Sequence, residues 1–386
     1  MKIALVTETY PPEINGVAMT LSHLVEGLVQ REHELTVIRP RQSADGQPAP
    51  GKTYAEKLFP GIPIPGYPLL RLGLPARGAL LRSWKKLRPD LVHIATEGPL
   101  GYSALMAASH LGIPISSSFH TNFHSYSRHY GYPFLTRVAL SYLRHFHNRT
   151  LATLSPTTEL NDELARDGFK NMRLLARGVN TQVFSPAQRS ESLRRKYGAG
   201  PQDLLVVHVS RLAREKNYPL LLKAFAAIRQ AQPTAKFVIV SDGPLRKKLT
   251  RENPQIAFTG FLPRAELATH YASADLFLFA SLTETFGNVV TESMASGLPV
   301  VAFNYAAAAR YIRHLQNGWL VTLDDSAAFV DTAVHVAQDA LLRAKLGSEA
   351  RKTAEGISWE PVIDGLERDF RELAGFQARS VELAAH

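Results

Sequence analysis

The sequence predicts two doubly wound α/β domains, from its length, its strand pattern and its composition. The chain has 386 residues, more than one hydrophobic core usually organises. Short apolar runs alternate with helix-length segments, and the alternation starts twice along the chain. A 45% hydrophobic and 20% charged composition is that of a soluble globular protein, not a disordered or fibrous one.

In the first half the strand signals are residues 3–9, 34–39, 91–96, 114–120, 151–155 and 172–177. The second half restarts with 204–210, then 236–241, 256–260, 275–280, 299–303 and 318–321. Runs this apolar fit parallel strands covered on both faces. The break falls near 180–186, before a polar helix at 191–197, so one domain is expected over 1–183 and a second over 184–360. Residues 41–76 hold Pro48, Pro50, Pro60, Pro63, Pro65, Pro68 and Pro75 and are expected to form a long loop. Residues 77–88 are expected as a helix with Leu80, Trp84 and Leu87 on one face. Arg77, Arg82, Lys85, Lys86 and Arg88 crowd the rest of it. A packed helix with a solvated basic side accounts for this, and so does docking on anionic lipid, at about 1 kcal/mol per basic residue. Residues 140–149, with Arg144, His145, His147 and Arg149, extend the basic stretch.

The absence of cysteine removes disulfides, thiolate metal sites and any thiol nucleophile. The first six residues are mostly apolar but meet Thr7 and Glu8 at once, which reads as a buried first strand rather than a signal peptide. No apolar run approaches the roughly 18–20 residues that span a bilayer, so a cytoplasmic protein is expected. The formal charge of +10 is weighted toward the first half and calls for an anionic partner: phosphorylated ligand, anionic lipid or nucleic acid.

Ligands of open α/β sheets bind beyond the carboxyl ends of the strands, so the residues there carry the chemistry. After 204–209 comes Ser210-Arg211-Leu212-Ala213-Arg214-Glu215-Lys216-Asn217. Arg211 and Lys216 leave the strand end together and suit a diphosphate, the guanidinium as a fork and the ammonium as a point charge. Two solvated surface cations remain the alternative. After 275–280 comes Ser281-Leu282-Thr283-Glu284-Thr285-Phe286-Gly287-Asn288, entering a helix expected at 289–296. Free amides at that helix start stabilise anions, and Gly287 lets a ligand approach the backbone. With Glu284 in the loop and Glu292 in the helix, one carboxylate can face sugar hydroxyls while the other accepts from ribose hydroxyls; a helix cap and a surface acid are the alternatives.

The E-x7-E pair Glu284–Glu292, preceded by an S-R-L-x-x-x-K segment, resembles the retaining glycosyltransferases of family 4, over nearly the whole chain. The resemblance implies two Rossmann-like domains facing across a cleft (the GT-B fold), with residues 361–386 crossing back as a helix onto the first. It matches Arg211 and Lys216 to the diphosphate-binding pair and Asn15-Gly16-Val17 to a glycine loop near the donor phosphates. It matches His120 to a histidine near the donor sugar, so that His120, Glu284, Arg211 and Lys216 become the catalytic candidates. Gly16, Asp242, Gly243, Phe286, Gly287, Asn288 and Glu292 join Arg211, Lys216 and Glu284 as donor-binding candidates. Asn180 stands where many relatives have Asp in a G-V-D segment, and Ser241 replaces the first glycine of the usual G-D-G-P.

The resemblance further implies a nucleotide-sugar donor held mainly by the second domain, an acceptor held by the first, and transfer with retained anomeric configuration. No carboxylate is an obvious nucleophile, so a front-face, donor-assisted route is expected rather than the covalent route of two-carboxylate hydrolases. No D-x-D motif is present to hold a metal, and neither metal nor cofactor is expected. In the segment 120–129, three histidines four and five residues apart lack a nearby carboxylate. Asn122, His124, Tyr126 and Arg128 are taken there as acceptor-binding candidates.

The segments Glu97-Gly98-Pro99-Leu100-Gly101 and His120-Thr121-Asn122-Phe123-His124 look similar to those of lipid glycosyltransferases, including enzymes acting on diacylglycerol and mannosyltransferases using GDP-mannose. A UDP- or GDP-linked hexose donor, a lipid or glycan acceptor and peripheral contact with the inner face of the cytoplasmic membrane follow as expectations. The competing readings are a nucleotide-sugar 2-epimerase and an exported two-domain binding protein. Nucleic-acid binding accounts for the charge but not for the donor constellation.

Overall fold

The computed structural model describes residues 1–13, 15–42, 45, 53–64, 67–120 and 133–384. They form two compact units, Met1–Arg177 with Glu360–His386, and Gly178–Trp359.

In the first unit β1 (Lys2–Val6), β2 (Glu34–Pro40) and β3 (Ala55–Phe59) form one wing of a parallel sheet. Next comes an antiparallel ribbon of β4 (Gly61–Ile64) and β5 (Tyr67–Gly73). The other wing is β6 (Leu91–Ile94), β7 (Ile115–Ser118), β8 (Ala152–Ser155) and β9 (Met172–Leu174), giving the order β3-β2-β1-β6-β7-β8-β9. Residues 3–6 of β1 and all of β6, β7 and β8 are buried, the signature of strands covered by helices on both faces. The covering helices are α1 (Gly16–Gln30), α2 (Arg77–Lys86), α3 (Pro99–His110), α4 (Pro133–His147) and α5 (Thr158–Arg166).

Three expectations fail here. Within 41–76, a stretch expected as loop, the chain forms β3, β4 and β5. Pro60 falls between β3 and β4, and Pro63 and Pro68 fit because the ribbon is only two strands wide, so an outward-facing position has no ladder bond to lose. Leu87 lies just beyond α2 and is 75% exposed, whereas Leu80 and Trp84 are buried. His147 is fully buried between Ser117 and Glu97, so it leaves the basic surface that Arg144, His145 and Arg149 do share.

The second unit opens with α6 (Glu191–Lys196) and a six-stranded parallel sheet. Its strands are β10 (Leu205–Val209), β11 (Lys236–Val240), β12 (Ala257–Phe258), β13 (Leu276–Phe279), β14 (Val300–Phe303) and β15 (Trp319–Val321). They run in the order β12-β11-β10-β13-β14-β15. Between them lie α7 (Tyr218–Ala231), α8 (Arg246–Glu252), α9 (Arg264–Ser273), α10 (Asn288–Ala295), α11 (Ala306–Tyr311), α12 (Ser326–Gln338) and α13 (Ala340–Glu355). The order reverses between β10 and β13, so their following loops flank the crevice where such sheets take ligands.

The last helix, α14 (Glu360–Ala384), belongs to the first unit and packs on α1. Buried Ile363 fills the space that bare Gly27 leaves: a Cβ there would lie 2.1 Å from Ile363 Cδ1 and 2.9 Å from its Cγ1. Arg31 pairs with Asp364 at 2.6 Å and Glu360 at 2.9 Å, and Arg173 with Asp369 at 2.7 Å and Glu372 at 2.8 Å. These pairs are partly exposed and contribute up to about 1 kcal/mol each, so the apolar notch holds the helix and the ion pairs set its register.

Gly27→Ala is therefore expected to destabilise the protein by about 1–3 kcal/mol through overpacking. Ile363→Val removes the colliding methyl and should recover part of that loss in the double variant. Strictly additive losses in urea melts would rule out the notch.

Candidate functional site

Both loops at the reversal point of the second sheet are fixed by backbone contacts. The amide of Leu212 donates to the Asp242 carbonyl at 3.0 Å, and Leu245 donates back to the Leu212 carbonyl at 3.0 Å. Gly243 makes that approach possible, because a Cβ there would lie 2.5 Å from the Leu212 carbonyl oxygen and 2.7 Å from its nitrogen. The Leu282 amide donates to the Glu215 carbonyl at 3.2 Å, tying the loop after β13 to the loop after β10. The Tyr218 hydroxyl donates to the carbonyls of Ser210 and Arg211 at 3.0 and 3.3 Å.

That scaffold brings Lys216 and Glu284 together. Buried Lys216 places Nζ 2.5 Å from Glu284 Oε1 and 3.4 Å from both Ser281 Oγ and the Thr283 carbonyl. Arg211, with a third of its side chain exposed, sets Nη2 2.5 Å from Oε1 of fully buried Glu215. The Tyr305 hydroxyl donates to the Glu284 carbonyl at 3.1 Å, and the Phe286 carbonyl takes the Ala307 amide at 2.8 Å. Gly287 then turns the chain with φ 93 and ψ 60, a left-handed conformation that costs an L-residue about 1–2 kcal/mol. The turn opens α10 at Asn288, one residue earlier than the sequence suggested. Its first amides are a ready anion site next to Glu284, whose Cγ lies 3.6 Å from where a Gly287 Cβ would stand and whose carboxylate meets Lys216.

Glu292 lies one turn inside α10 and accepts from the Tyr271 hydroxyl at 3.2 Å. Burial pushes its carboxyl up to about 7, against the help of Tyr271 and Arg264. Asp242 accepts the amide of Gly243 at 2.7 Å. Ser241 stands at φ 120 and pairs with Gly260, so a serine occupies backbone that glycine suits better. Asn180 accepts the amides of Gln182 and Val183 at 3.1 and 3.0 Å, a turn that needs an oxygen but no charge.

In the first unit Gly16 is the first residue of α1, and the side chain of Asn15 caps that helix by accepting the Ala18 amide at 2.8 Å. Glu13 holds the preceding loop, accepting from Thr9 at 2.5 Å and from Gln42 at 2.7 Å. His120 is buried beyond β7, with Nδ1 3.0 Å from Nη2 of Arg177. Burial first, then the charge of Arg177, holds its pKa well below the ordinary value. Glu8 explains the glycines of 97–101: its carboxylate caps α3 at Leu100 and fills the place of a Gly98 Cβ, while Gly101 lies against the Thr96 carbonyl. Asn122, His124, Tyr126 and Arg128 lie outside the described residues.

Sequence reasoning missed Glu215, Tyr271, Tyr305 and Arg177. Only Glu215 carried a local signal, four residues after Arg211 and beside Lys216; in the second unit Tyr271 and Tyr305 reach Glu292 and Glu284 from other elements, and in the first Arg177 reaches His120. Among the described residues, no group of three His, Asp or Glu side chains gathers to hold a metal ion.

Two family models match the chain: Glycosyltransferase Family 4 over residues 14–183 and Glycosyl transferases group 1 over 189–353. A GDP-mannose-dependent alpha-mannosyltransferase of Mycobacterium tuberculosis is 33% identical over 97% of each chain. The alpha-monoglucosyldiacylglycerol synthase of Acholeplasma laidlawii is 28% identical, again over 97% of each. The structure of sucrose-phosphate synthase from Thermosynechococcus elongatus superposes with a TM-score of 0.78 at 17% identity, covering 96% of this chain and 98% of that one. A likeness of that kind establishes the GT-B fold.

The raised pKa of Glu292 has a stability consequence. Its folded value near 7 lies above the ordinary 4.5, so the folded state holds the proton more tightly. The stability this contributes is full below pH 4.5 and is lost as the pH rises toward 7. Glu8, also raised to about 7, adds a parallel slope from the other unit. Glu292→Gln is expected to gain stability relative to wild type between pH 5 and pH 7, by roughly 1 kcal/mol or more. A pH-independent difference in denaturant midpoints would contradict the assignment.

Proposed function

Because the chain belongs to the group 1, family 4 glycosyltransferases, we propose that it moves a hexose from a UDP- or GDP-linked donor to a hydroxyl of a membrane lipid such as diacylglycerol. The observation that carries this reading is the Lys216–Glu284 pair just before a helix opened by a left-handed glycine, with Arg211 on the same loop as Lys216.

Arg211, Lys216 and the first amides of α10 hold the donor diphosphate and stabilise its charge as it departs, the kind of preorganised field that often supplies the largest catalytic effect. Glu284 takes hydroxyls of the hexose and Glu292 those of the ribose. Asp242 and Gly243 shape the wall next to Leu212, and Phe286, Gly287 and Asn288 supply the helix start. The bond from the anomeric carbon to the diphosphate oxygen breaks and the bond to the acceptor oxygen forms on the same face. The acceptor's proton passes to the departing diphosphate, so configuration is retained and neither metal nor cofactor takes part. Gly16 gives the phosphates access to backbone at the start of α1, and Asn122, His124, Tyr126 and Arg128 are the proposed acceptor contacts.

The lipid acceptor is supported by the diacylglycerol-directed relative and by the exposed Arg77, Arg82, Lys85, Lys86 and Arg88. Among the described residues no helix is long and apolar enough to cross a membrane. We place the enzyme in the cytoplasm, docked peripherally on the inner membrane face by this basic surface. The mannosyltransferase relative favours a second reading, GDP-mannose as donor with a glycan or glycolipid acceptor. A 2-epimerase would interconvert nucleotide sugars and form no glycoside. Incubation with a panel of nucleotide sugars and total lipid extract, read by mass spectrometry, separates the three.

Glu284→Gln should lower turnover by about 100-fold or more with the fold retained, since it removes the charge that faces both Lys216 and the sugar. Unchanged transfer would remove Glu284 from the site. Arg211→Ala combined with Lys216→Ala should weaken nucleoside-diphosphate binding at least about tenfold by calorimetry. Wild-type affinity in that variant would sink the diphosphate assignment.

A further inference from the structure

His120 and Arg177 leave two strands of the first sheet, β7 and β9, and meet with both side chains buried. Nη1 of Arg177 is spent on its own chain, donating to the Leu175 carbonyl at 2.7 Å and the Ala176 carbonyl at 3.2 Å. That anchorage aims Nη2 at His120 Nδ1, 3.0 Å away. A guanidinium is always protonated and only donates, so Nδ1 must accept and cannot carry a proton. A neutral imidazole then has its proton on Nε2, and a second proton would put imidazolium against guanidinium in a buried setting. His120 Nε2 is buried and has no hydrogen-bond partner among the described residues. A buried N–H left without a partner costs about 1–3 kcal/mol, a cost that a ligand oxygen can relieve.

We infer that Arg177 is a positioning residue for His120: by donating to Nδ1 it holds the ring in the neutral Nε2–H form, which presents a hydrogen-bond donor to an oxygen of the substrate sugar. His120 is then neither a general acid nor a general base in this enzyme. It contributes one oriented N–H, and the direction of that bond is set by the strand end that carries Arg177. The tautomer follows from the Arg177–His120 geometry alone, whereas the sugar contact rests on the glycosyl-transfer reading above.

The experiment is a long-range imidazole 15N–1H spectrum of the labelled full-length protein, with the His120 signals assigned by their absence in His120→Gln. The wild-type ring is expected as neutral Nε2–H from pH 6 to pH 8; an Nδ1–H ring, or a protonated one, would overturn the proposal. Arg177→Met should redistribute the tautomer and lower kcat/KM for transfer by about tenfold, with nucleoside-diphosphate affinity unchanged. Arg177→Lys, which retains a donor, should recover part of both effects. An unaltered His120 tautomer in Arg177→Met would refute the positioning role, and the wild-type spectrum alone decides the tautomer should that variant fail to fold. Adding a nucleotide sugar should shift the Nε2–H proton, and nucleoside diphosphate alone should not. A signal unmoved by a nucleotide sugar that binds would overturn the sugar contact. A protein that binds no nucleotide sugar would instead defeat the glycosyl-transfer reading, with the tautomer still standing on its own signal.

Discussion

The closest constraint on the candidate site is the bare backbone of Gly243 against the peptide of Leu212. Two strand-end loops approach until their main chains exchange hydrogen bonds, and there is no room for a Cβ between them. Arg211 and Lys216 flank Leu212 in sequence, so their separation is set by a contact that neither side chain makes. The same segment takes the Leu282 amide through Glu215, which carries the constraint to the loop bearing Glu284. Local turns thus supply the residues, and backbone contacts between loops supply the geometry.

The charges held in that geometry are poorly explained by stability. Burying Lys216 against Glu284, or Glu215 against Arg211, costs desolvation that the attraction between the pair only partly repays. Arg194 shows the structural alternative in the same unit. It is fully buried, bonded to Asp275 at 2.8 Å and to the carbonyls of Ser273, Gly200 and Asp203, so both of its terminal nitrogens are spent inside the protein. Arg211 keeps about a third of its side chain exposed, whereas Lys216 is buried with Nζ on Glu284, Ser281 and the Thr283 carbonyl. Arg211, paired with a carboxylate yet partly exposed, is the cation of the two that solvent reaches.

The strand pattern made both sheets legible, because parallel strands buried on both faces are continuous apolar runs. Every strand read from the sequence is present, most of them trimmed at an end, while β2 runs one residue longer than expected. The three strands it did not show, β3 to β5, sit on an edge and in a ribbon where proline carries little penalty, so the breaker signal misled. The donor candidates were legible for a related reason: Arg211, Lys216, Glu284 and Gly287 lie immediately after two strands, and the reversal between β10 and β13 brings those ends together. Their supports were not. Tyr271, Tyr305 and Arg177 act across long sequence separations through a single hydroxyl or guanidinium, which leaves no periodic trace.

The first unit shows what kind of core lies beneath such a support. Its β7 is buried yet carries three consecutive serines, each bonded to a histidine: Ser116 and Ser118 to the two nitrogens of His93 at 2.9 and 2.7 Å, and Ser117 to His147 at 2.9 Å. The other nitrogen of His147 meets Glu97 at 3.0 Å. A satisfied polar network is rigid because each lost bond would strand a buried group, whereas apolar packing tolerates small slips. His93, lowered to about 3 by burial, stays neutral, and with both ring nitrogens engaged it locks the strand from one side. His120 follows β7 by two residues, so the strand end that carries it is pinned by the hydrogen bonds to His93 and His147. The polar strand therefore fixes where His120 leaves the sheet, and Arg177 sets the tautomer of its ring and the direction of its N–H.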